Sequence, residues 1–460
     1  MEHTSKKTII RSTAIIAVCF LLTSTGWLFW EYHLLGQISA KMSDVCTMVI
    51  GYLLQAAGIG LYLLIIHRHP KPAGRVVLIA LILHMIFMVP AGISPFVAGS
   101  LIFGFLMNIT CGFIAGYYLH NLTANVPANH KALVFGLGYA VSIIASWILS
   151  IIDGGSIYYS EKVLIICLVL TLGAIVLTFE RAPKAEEAEN VTDEATRPAA
   201  TSGTAVKASF ILMAALLVLL FSIVNNSGFA FPSADIGNTV NVELSRLVYA
   251  AGLIIAGLVT DKSRKSGAIC ALAALMIPFI ILALKGETLS AVIFWVLSYF
   301  IFGFYAVFRI ILFSDIASKY DMMVFAGFGL MIGRAGDAIG EGICLLLGNH
   351  LTILIILTAV LFVAAVVIFF RLYQQLYVPA AEREESEKER FARFAAAHDL
   401  SAREQDMLRL LLEKKSNGEI SETLSISENT VKFHVRNLLQ KTGCKNRNEL
   451  TNAYTAWFSK

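Results

Sequence analysis

The sequence predicts an all-α protein: a polytopic membrane helix bundle in two six-helix halves, followed by a small soluble four-helix domain. Three observations carry that prediction. The 460 residues are 57% hydrophobic and only 15% charged, with mean hydropathy +0.72, whereas soluble domains run nearer a quarter charged. About twelve apolar runs, each near the roughly 20 residues that a spanning helix needs, follow one another before residue 373. From Leu400 onward the chain turns polar and takes up a helical apolar period.

The apolar runs lie near 12–31, 44–66, 75–95, 97–119, 132–152, 162–179, 208–227, 245–260, 267–284, 289–311, 322–347 and 351–372. Lys6, Lys7 and Arg11 ahead of the first run mimic a signal peptide, but no small-residue cleavage site follows, so the run reads as a first span. With an even count both termini share one side. That side then collects His67, Arg68, Lys71, Arg75, Lys131, Arg181, Lys184, Lys262, Arg264, Lys265 and Lys319. The opposite loops hold Lys41, Lys162, Arg246 and Lys285. Cations accumulate in cytoplasmic loops, which predicts cytoplasmic termini and a multi-pass protein of the inner (cytoplasmic) membrane.

Residues 180–207 are acidic and rich in Ala, Thr and Pro, without periodicity, and read as a cytoplasmic linker between the halves. Two short echoes support a repeat: Ile102-Phe103-Gly104-Phe105 with Ile301-Phe302-Gly303-Phe304, and Val134-Phe135-Gly136-Leu137-Gly138 with Phe325-Ala326-Gly327-Phe328-Gly329. After the eighth run comes Gly257-Leu258-Val259-Thr260-Asp261-Lys262-Ser263-Arg264-Lys265. With twelve spans and a central loop, this is similar to the major facilitator superfamily and its G-x-x-x-D-R/K-x-x-R-R/K loop. The resemblance covers about residues 12–372 and implies two six-helix halves around a central site. The loop after the second span, Ile66-His67-Arg68-His69, lacks the Gly and Asp of that signature.

The eleventh run carries Arg334, Asp337 and Glu341 within an arc of about 60° on one helical face. Ionisable groups mid-span rarely face lipid. Together with Arg309 in the tenth run, expected nearer the inner surface, they are candidates for binding a small-molecule ligand. The bland alternative is a self-neutralised cluster that locks helices together. Gly329, Gly333, Gly336, Gly340 and Gly342 on the same run suit close helix approach. Asn108, Asn225 and Asn226 read as helix-packing hydrogen bonders, and His84 as a satisfied core residue.

Seven scattered cysteines show neither a CxxC spacing nor a Cys/His cluster. No phosphate loop, HExxH or nucleophile elbow occurs. The expectation is no enzyme, no cofactor and no metal.

Residues 1–378 thus form the predicted membrane domain, 379–398 a charged helical stalk, and 399–460 the soluble domain. The stalk carries an apolar stripe of Phe391, Phe394, Ala395 and His398. In the soluble domain Ser401 and Glu404 make a capping box ahead of Met407, Leu408, Leu411 and Leu412. Ser416 to Leu424 is a second, short helix, and Ser425-Ile426-Ser427 a turn. Ser427 caps a third helix that begins at Glu428 and ends at Gly443, and a fourth starts at Asn446. This is a helix-turn-helix with a flanking helix on each side. Cations along its third helix suit phosphates and guanine edges.

The run Leu400, Arg403, Glu404, Leu408, Ser416, Asn417, Glu419, Ile420, Leu424, Ile426, Ser427, Thr430, Val431, Lys432, His434, Leu438, Lys441, Gly443, Arg447, Glu449 and Leu450 closely resembles the LuxR/NarL family DNA-binding domain. The resemblance implies that Lys432, Phe433 and Arg436 face base edges, while Thr430, His434 and Lys441 lie near the DNA backbone. It also implies promoter DNA as a partner and dimerisation through the fourth helix. The combined expectation is a membrane-bound one-component transcription regulator that senses a small molecule. A transporter with an appended regulatory domain, and a DNA binder merely anchored by its body, are the alternatives.

Overall fold

The computed structural model describes residues 2–69, 73–151, 157–179, 208–229, 242–283, 288–377, 388 and 391–457. The chain divides into two compact units, Met1–Tyr373 and Gln374–Lys460. Among the described residues both are helical and neither contains a strand.

The first unit is the membrane body. Its first half comprises α1 (Glu2–Leu35), α2 (Ala40–Asp44), α3 (Gly51–Arg68), α4 (Ala73–Ile93), α5 (Val97–Asn125), α6 (Lys131–Ile151) and α7 (Lys162–Phe179). The second comprises α8 (Ala208–Phe229), α9 (Val242–Lys262), α10 (Arg264–Ala274), α11 (Ile277–Ala283), α12 (Thr288–Lys319), α13 (Phe328–Leu347) and α14 (Leu351–Tyr377). The π-helical turn Val45–Ile50 joins α2 to α3 in one continuous rod.

Among the described residues every predicted apolar run is largely helical, and nine stretches are long and apolar enough to cross a membrane. The other three runs depart for visible reasons. In α9 the apolar stretch is bounded by Glu243, Arg246, Asp261 and Lys262. The ninth run is broken at Leu275 and Met276 into α10 and α11, and α13 carries Arg334, Asp337 and Glu341. The predicted linker 180–207 lies outside the described residues.

Glycines set where helices meet. A side chain at Gly136 of α6 would collide with the Leu253 carbonyl of α9, and one at Gly327, just before α13, would press on Ile59 and Leu63 of α3. Both crossings join the halves, so Gly136 and Gly327 of this echo mark equivalent places. The other echo does not. Gly104 packs under the Trp30 ring of α1, whereas Gly303 packs on the Gly252 backbone of α9. Between halves α6 lies on α9 and α3 on α13; within the second half α8 lies on α13 and α9 on α12.

The second unit holds α15 (Ala402–Leu412), α16 (Asn417–Leu424), α17 (Glu428–Thr442) and α18 (Arg447–Trp457). Its core is Met407, Leu408, Leu411, Ile420, Val431, Val435, Leu438 and Leu450, all buried. The stalk contributes to this core. Residues 391–397 are helical, and Phe394 is buried with its ring 5.0 Å from Tyr454 and 5.6 Å from Trp457. The apolar stripe therefore belongs to the soluble unit rather than to a free spacer. Residues 379–387, 389 and 390 of the predicted stalk lie outside the described residues.

Candidate functional sites

Both halves of the membrane body contribute to a central cavity of about 320 Å³. Aromatic side chains from four helices line it: Trp27 of α1, Tyr52 of α3, Tyr118 of α5 and Tyr139 of α6, with Tyr249 of α9 from the other half. Arg334 of α13 supplies its cationic group. Tyr52 and Tyr249 also border a second lobe of about 210 Å³, lined by Asn225, Asn226, Tyr305, Arg309 and Asp337.

The charges predicted on α13 meet there, with a partner that helical spacing does not reveal. Asp337 accepts from Arg309 Nη1 of α12 at 3.2 Å and sits 3.7 Å from Arg334 Nη1 of its own helix. Arg309 also donates to the Tyr305 hydroxyl at 3.2 Å, and that hydroxyl pairs with Ser222 of α8. Arg334 lies over the Tyr52 ring, 4.5 Å from its centroid, a cation–π contact that strengthens in a desolvated site. Tyr52 lies two residues after the π-helical turn, a backbone feature frequent at functional sites.

Two expectations change. Arg309 is not near the end of its helix: α12 continues to Lys319, about 15 Å beyond it at 1.5 Å per residue, so Arg309 lies level with Asp337. Glu341 lines neither lobe; it sits 3.5 Å from Asn226 Nδ2. Asn226 also donates to the Asp337 carbonyl at 2.6 Å, and Gln55 donates to Asn108 at 2.8 Å, so these amides do join helices. His84 is buried with Nδ1 on the Thr110 hydroxyl at 3.0 Å, while its Nε2 has no partner. The tyrosines carry the site, and sequence reasoning passed over them. The available signal was Tyr52 and Tyr139, which sit well inside their apolar runs rather than in the interfacial belts where Tyr is enriched.

At one end of the bundle the halves are joined by polar contacts. Asp261 accepts from the backbone N–H groups of Ala132 and Leu133 at the start of α6, at 3.0 and 2.7 Å. Arg264 bridges Asp261 at 2.9 Å and Asp315 at 2.8 Å and donates to the Ala128 carbonyl. Lys131 donates to Ser318 at 2.6 Å, and Thr123 pairs with Ser314 at 2.9 Å.

In the soluble unit, local chemistry sets each boundary. Ser401 and Glu404 form the expected capping box, with Ser401 N–H on Glu404 Oε2 at 2.8 Å; Ser416 and Glu419 form another. Ser425 closes α16 in the left-handed region at φ 52°, and Ser427 accepts from Thr430 N–H to start α17. Gly443, at φ 69°, ends it, the backbone region that glycine enters at least cost.

Helix α17 turns Val431, Val435 and Leu438 into the core, which leaves Lys432, Phe433 and Arg436 exposed and Thr430 and His434 half-buried. Phe433 is 60% exposed, a large apolar surface unusual on a small polar unit. Lys441 is otherwise engaged. Its ammonium donates to Glu404 Oε2 at 2.8 Å and to the Asp399 carbonyl at 2.7 Å, bolting α17 to α15. Burial acts to raise the Glu404 carboxyl, but the Lys441 ammonium and the Ser401 N–H outweigh it and hold the group below its ordinary range.

Known proteins resemble the two units separately. Residues 398–453 match the model of the bacterial regulatory proteins, luxR family. The Spore germination protein GerE of Bacillus subtilis (strain 168) is 42% identical over 50 residues, which are 11% of this chain and 68% of that protein. The crystal structure of the human organic anion transporter MFSD10 (TETRAN) is similar with TM-score 0.56 and 11% identity, over 80% of this chain and 99% of that one. At that identity the likeness establishes a fold, a major facilitator-like bundle, for a multi-pass membrane protein. Through its carboxy-terminal unit the chain belongs to the luxR family of bacterial regulatory proteins, here fused to that bundle.

Proposed function

We propose that the protein is a membrane-bound one-component transcription regulator. A small molecule bound between the two halves biases the body between conformations, and the carboxy-terminal unit binds promoter DNA as a homodimer. A ligand can shift such an equilibrium only by binding one conformation more tightly than the other. The cavity walls come from both halves, so relative movement of the halves changes the site.

The observation that carries this reading is one chain holding both a cationic cavity in a transporter-like body and, in its luxR-family unit, a helix with exposed cationic and aromatic side chains. Lys432, Phe433 and Arg436 project from α17 with no role in its core. Thr430 and His434, half-buried beside them, are assigned to the DNA backbone. Lys441, tied to Glu404, offers DNA only the remainder of its charge. Arg334, Arg309 and Asp337 form the ligand-facing charge group, with Glu341 behind them. Cation-rich loops, with Lys131, Arg264 and Lys319 at one end of the bundle, support cytoplasmic termini in a cytoplasmic membrane.

The test is to crosslink full-length protein to chromosomal DNA in cells and follow transcripts of the recovered genes. Recovery of a small set of promoters, lost with Arg436→Ala, is expected. Ala115→Phe, which fills the cavity, should leave promoter recovery intact and change those transcripts. Unchanged transcripts would reduce the body to an anchor, and solute accumulation in proteoliposomes would argue for a transporter.

A further inference from the structure

We infer that the cavity takes a small aromatic monoanion, an aryl carboxylate of one or two rings, with its carboxylate on Arg334 and its ring among the tyrosines. This rests on the proposed sensing role and names the chemical class of ligand at that site.

The charge balance comes first. Two guanidinium groups, Arg309 and Arg334, share a single carboxylate oxygen, Asp337 Oδ2. Arg309 is committed: it is the closer, at 3.2 Å, and also holds the Tyr305 hydroxyl. Arg334 is not. Among the described residues its contacts are the 3.7 Å ion pair and the face of Tyr52, and neither is a hydrogen bond. A guanidinium carries five N–H donors in a planar fork that matches a carboxylate. Glu31, Asp44 and Glu341 line neither lobe. The charges at the cavity wall therefore sum to one positive, and one ligand anion neutralises them.

The shape comes second. The lobe that Arg334 and the tyrosines line, near 320 Å³, is at the small end of ligand cavities, about 300–1,000 Å³, which restricts the body of a ligand held there to one or two rings. The walls are aromatic on several sides. Phe20 and Tyr139 have ring centroids 4.1 Å apart, Tyr139 and Tyr249 stand edge-on at 5.7 Å, and Trp27 and Tyr52 run nearly parallel at 6.4 Å. Offset and edge-on partners of this kind favour a planar π-system over a branched aliphatic chain. The Ser142 and Ser146 hydroxyls on the same wall can meet a ring substituent.

The experiment uses full-length protein in nanodiscs and three probes of one shape: 2-naphthoate, the neutral 2-naphthamide, and the cationic 2-naphthylmethylamine. Binding is read as quenching of intrinsic tryptophan fluorescence and as a thermal shift. The naphthoate is expected to bind at least tenfold more tightly than either analogue. Arg334→Gln should remove that preference and Arg334→Lys retain part of it. Ala115→Phe, which leaves every charge in place, should abolish naphthoate binding and guards against a misfolded Arg334 variant. Equal or tighter binding of the amide or amine, naphthoate binding unchanged in Arg334→Gln, or binding of none of the three overturns the inference. The sensing role is judged separately, by the transcript response of the cavity-filling variant in cells, and survives a preference for the neutral or cationic probe.

Discussion

Asp261 accepts the backbone N–H of Leu133 at 2.7 Å, so a carboxylate of the second half caps a helix of the first. The first N–H groups of a helix lack intrahelical partners and carry the positive end of its dipole. The closure is one-sided. At the equivalent crossing α13 starts after Gly327 with no side-chain cap, and the loop after α3 offers His67, Arg68 and His69 instead of an Asp. Asp261→Asn keeps the shape but loses the charge and one acceptor, and is expected to weaken the closed form by about 1–2 kcal/mol. A cysteine at Ser314, which is buried beneath this contact, reports the change. Its labelling by a permeant maleimide should accelerate in Asp261→Asn, and an unchanged rate removes Asp261 from the closure.

The Arg309–Asp337 pair predicts a different asymmetry. Both side chains are nearly buried, at 10% and 12% exposure. Removing one partner of such a pair strands the other charge, typically at about 3–5 kcal/mol, whereas replacing both with apolar groups is often neutral. Asp337→Ala should therefore lower the melting temperature and the yield of folded protein. Arg309→Met with Asp337→Leu should recover most of both. If the double variant is as unstable as the single one, the pair is not the reason for the loss.

These two pairs show what was legible in the sequence. Arg334, Asp337 and Glu341 could be placed on one face because helical spacing is local information. That Asp337 pairs more closely with Arg309 depends on α12 meeting α13, where Gly329 and Gly333 lie against the Arg309 backbone and side chain, and no period reports such a crossing. The capping box of Ser401 and Glu404 was readable for the same local reason. The third contact of Glu404, with Lys441, joins residues far apart in the chain and redirects a side chain expected at the DNA backbone. The aromatic cavity left little trace, because a tyrosine inside an apolar span looks like any other bulky packing residue until its neighbours are known.

Glu404 makes the soluble unit sensitive to acid. Its carboxyl lies below the ordinary value of 4.5. A depressed carboxylate contributes stability that is complete above the unfolded value and is lost as pH falls through the folded one. Lys441→Met should cost about 1–2 kcal/mol at neutral pH, since the ammonium is itself partly exposed and only a charged hydrogen bond is lost. The difference from the parent should vanish well below pH 4.5, where Glu404 is protonated in both. Urea melts of the Gln374–Lys460 unit, which carries its own core, give both numbers. A penalty independent of pH would mean that Lys441 acts through packing.

The proposed function assigns three kinds of DNA contact to the exposed side of α17. Arg436 and Lys432 are assigned to base edges, where a bidentate pair discriminates by about 1–3 kcal/mol. Arg436→Ala is therefore expected to weaken specific promoter binding by ten- to a hundredfold while leaving non-specific binding in place. Phe433 has no hydrogen-bonding group in its side chain, and its 60% exposed ring suits the methyl of a thymine. Phe433→Ala should alter which bases are preferred with little change in salt dependence. His434→Ala should lower affinity evenly across sequences if His434 meets a phosphate as proposed. Lys441→Met should lower the slope of log K against log salt by less than the roughly 0.9 that a full phosphate contact contributes, because Glu404 already holds that charge. Gel shifts of one promoter and a scrambled fragment, at several salt concentrations, measure all four. A full unit of slope lost with Lys441 would show that its bond to Glu404 opens on DNA, and retention of specificity in Arg436→Ala would move the reading face off α17.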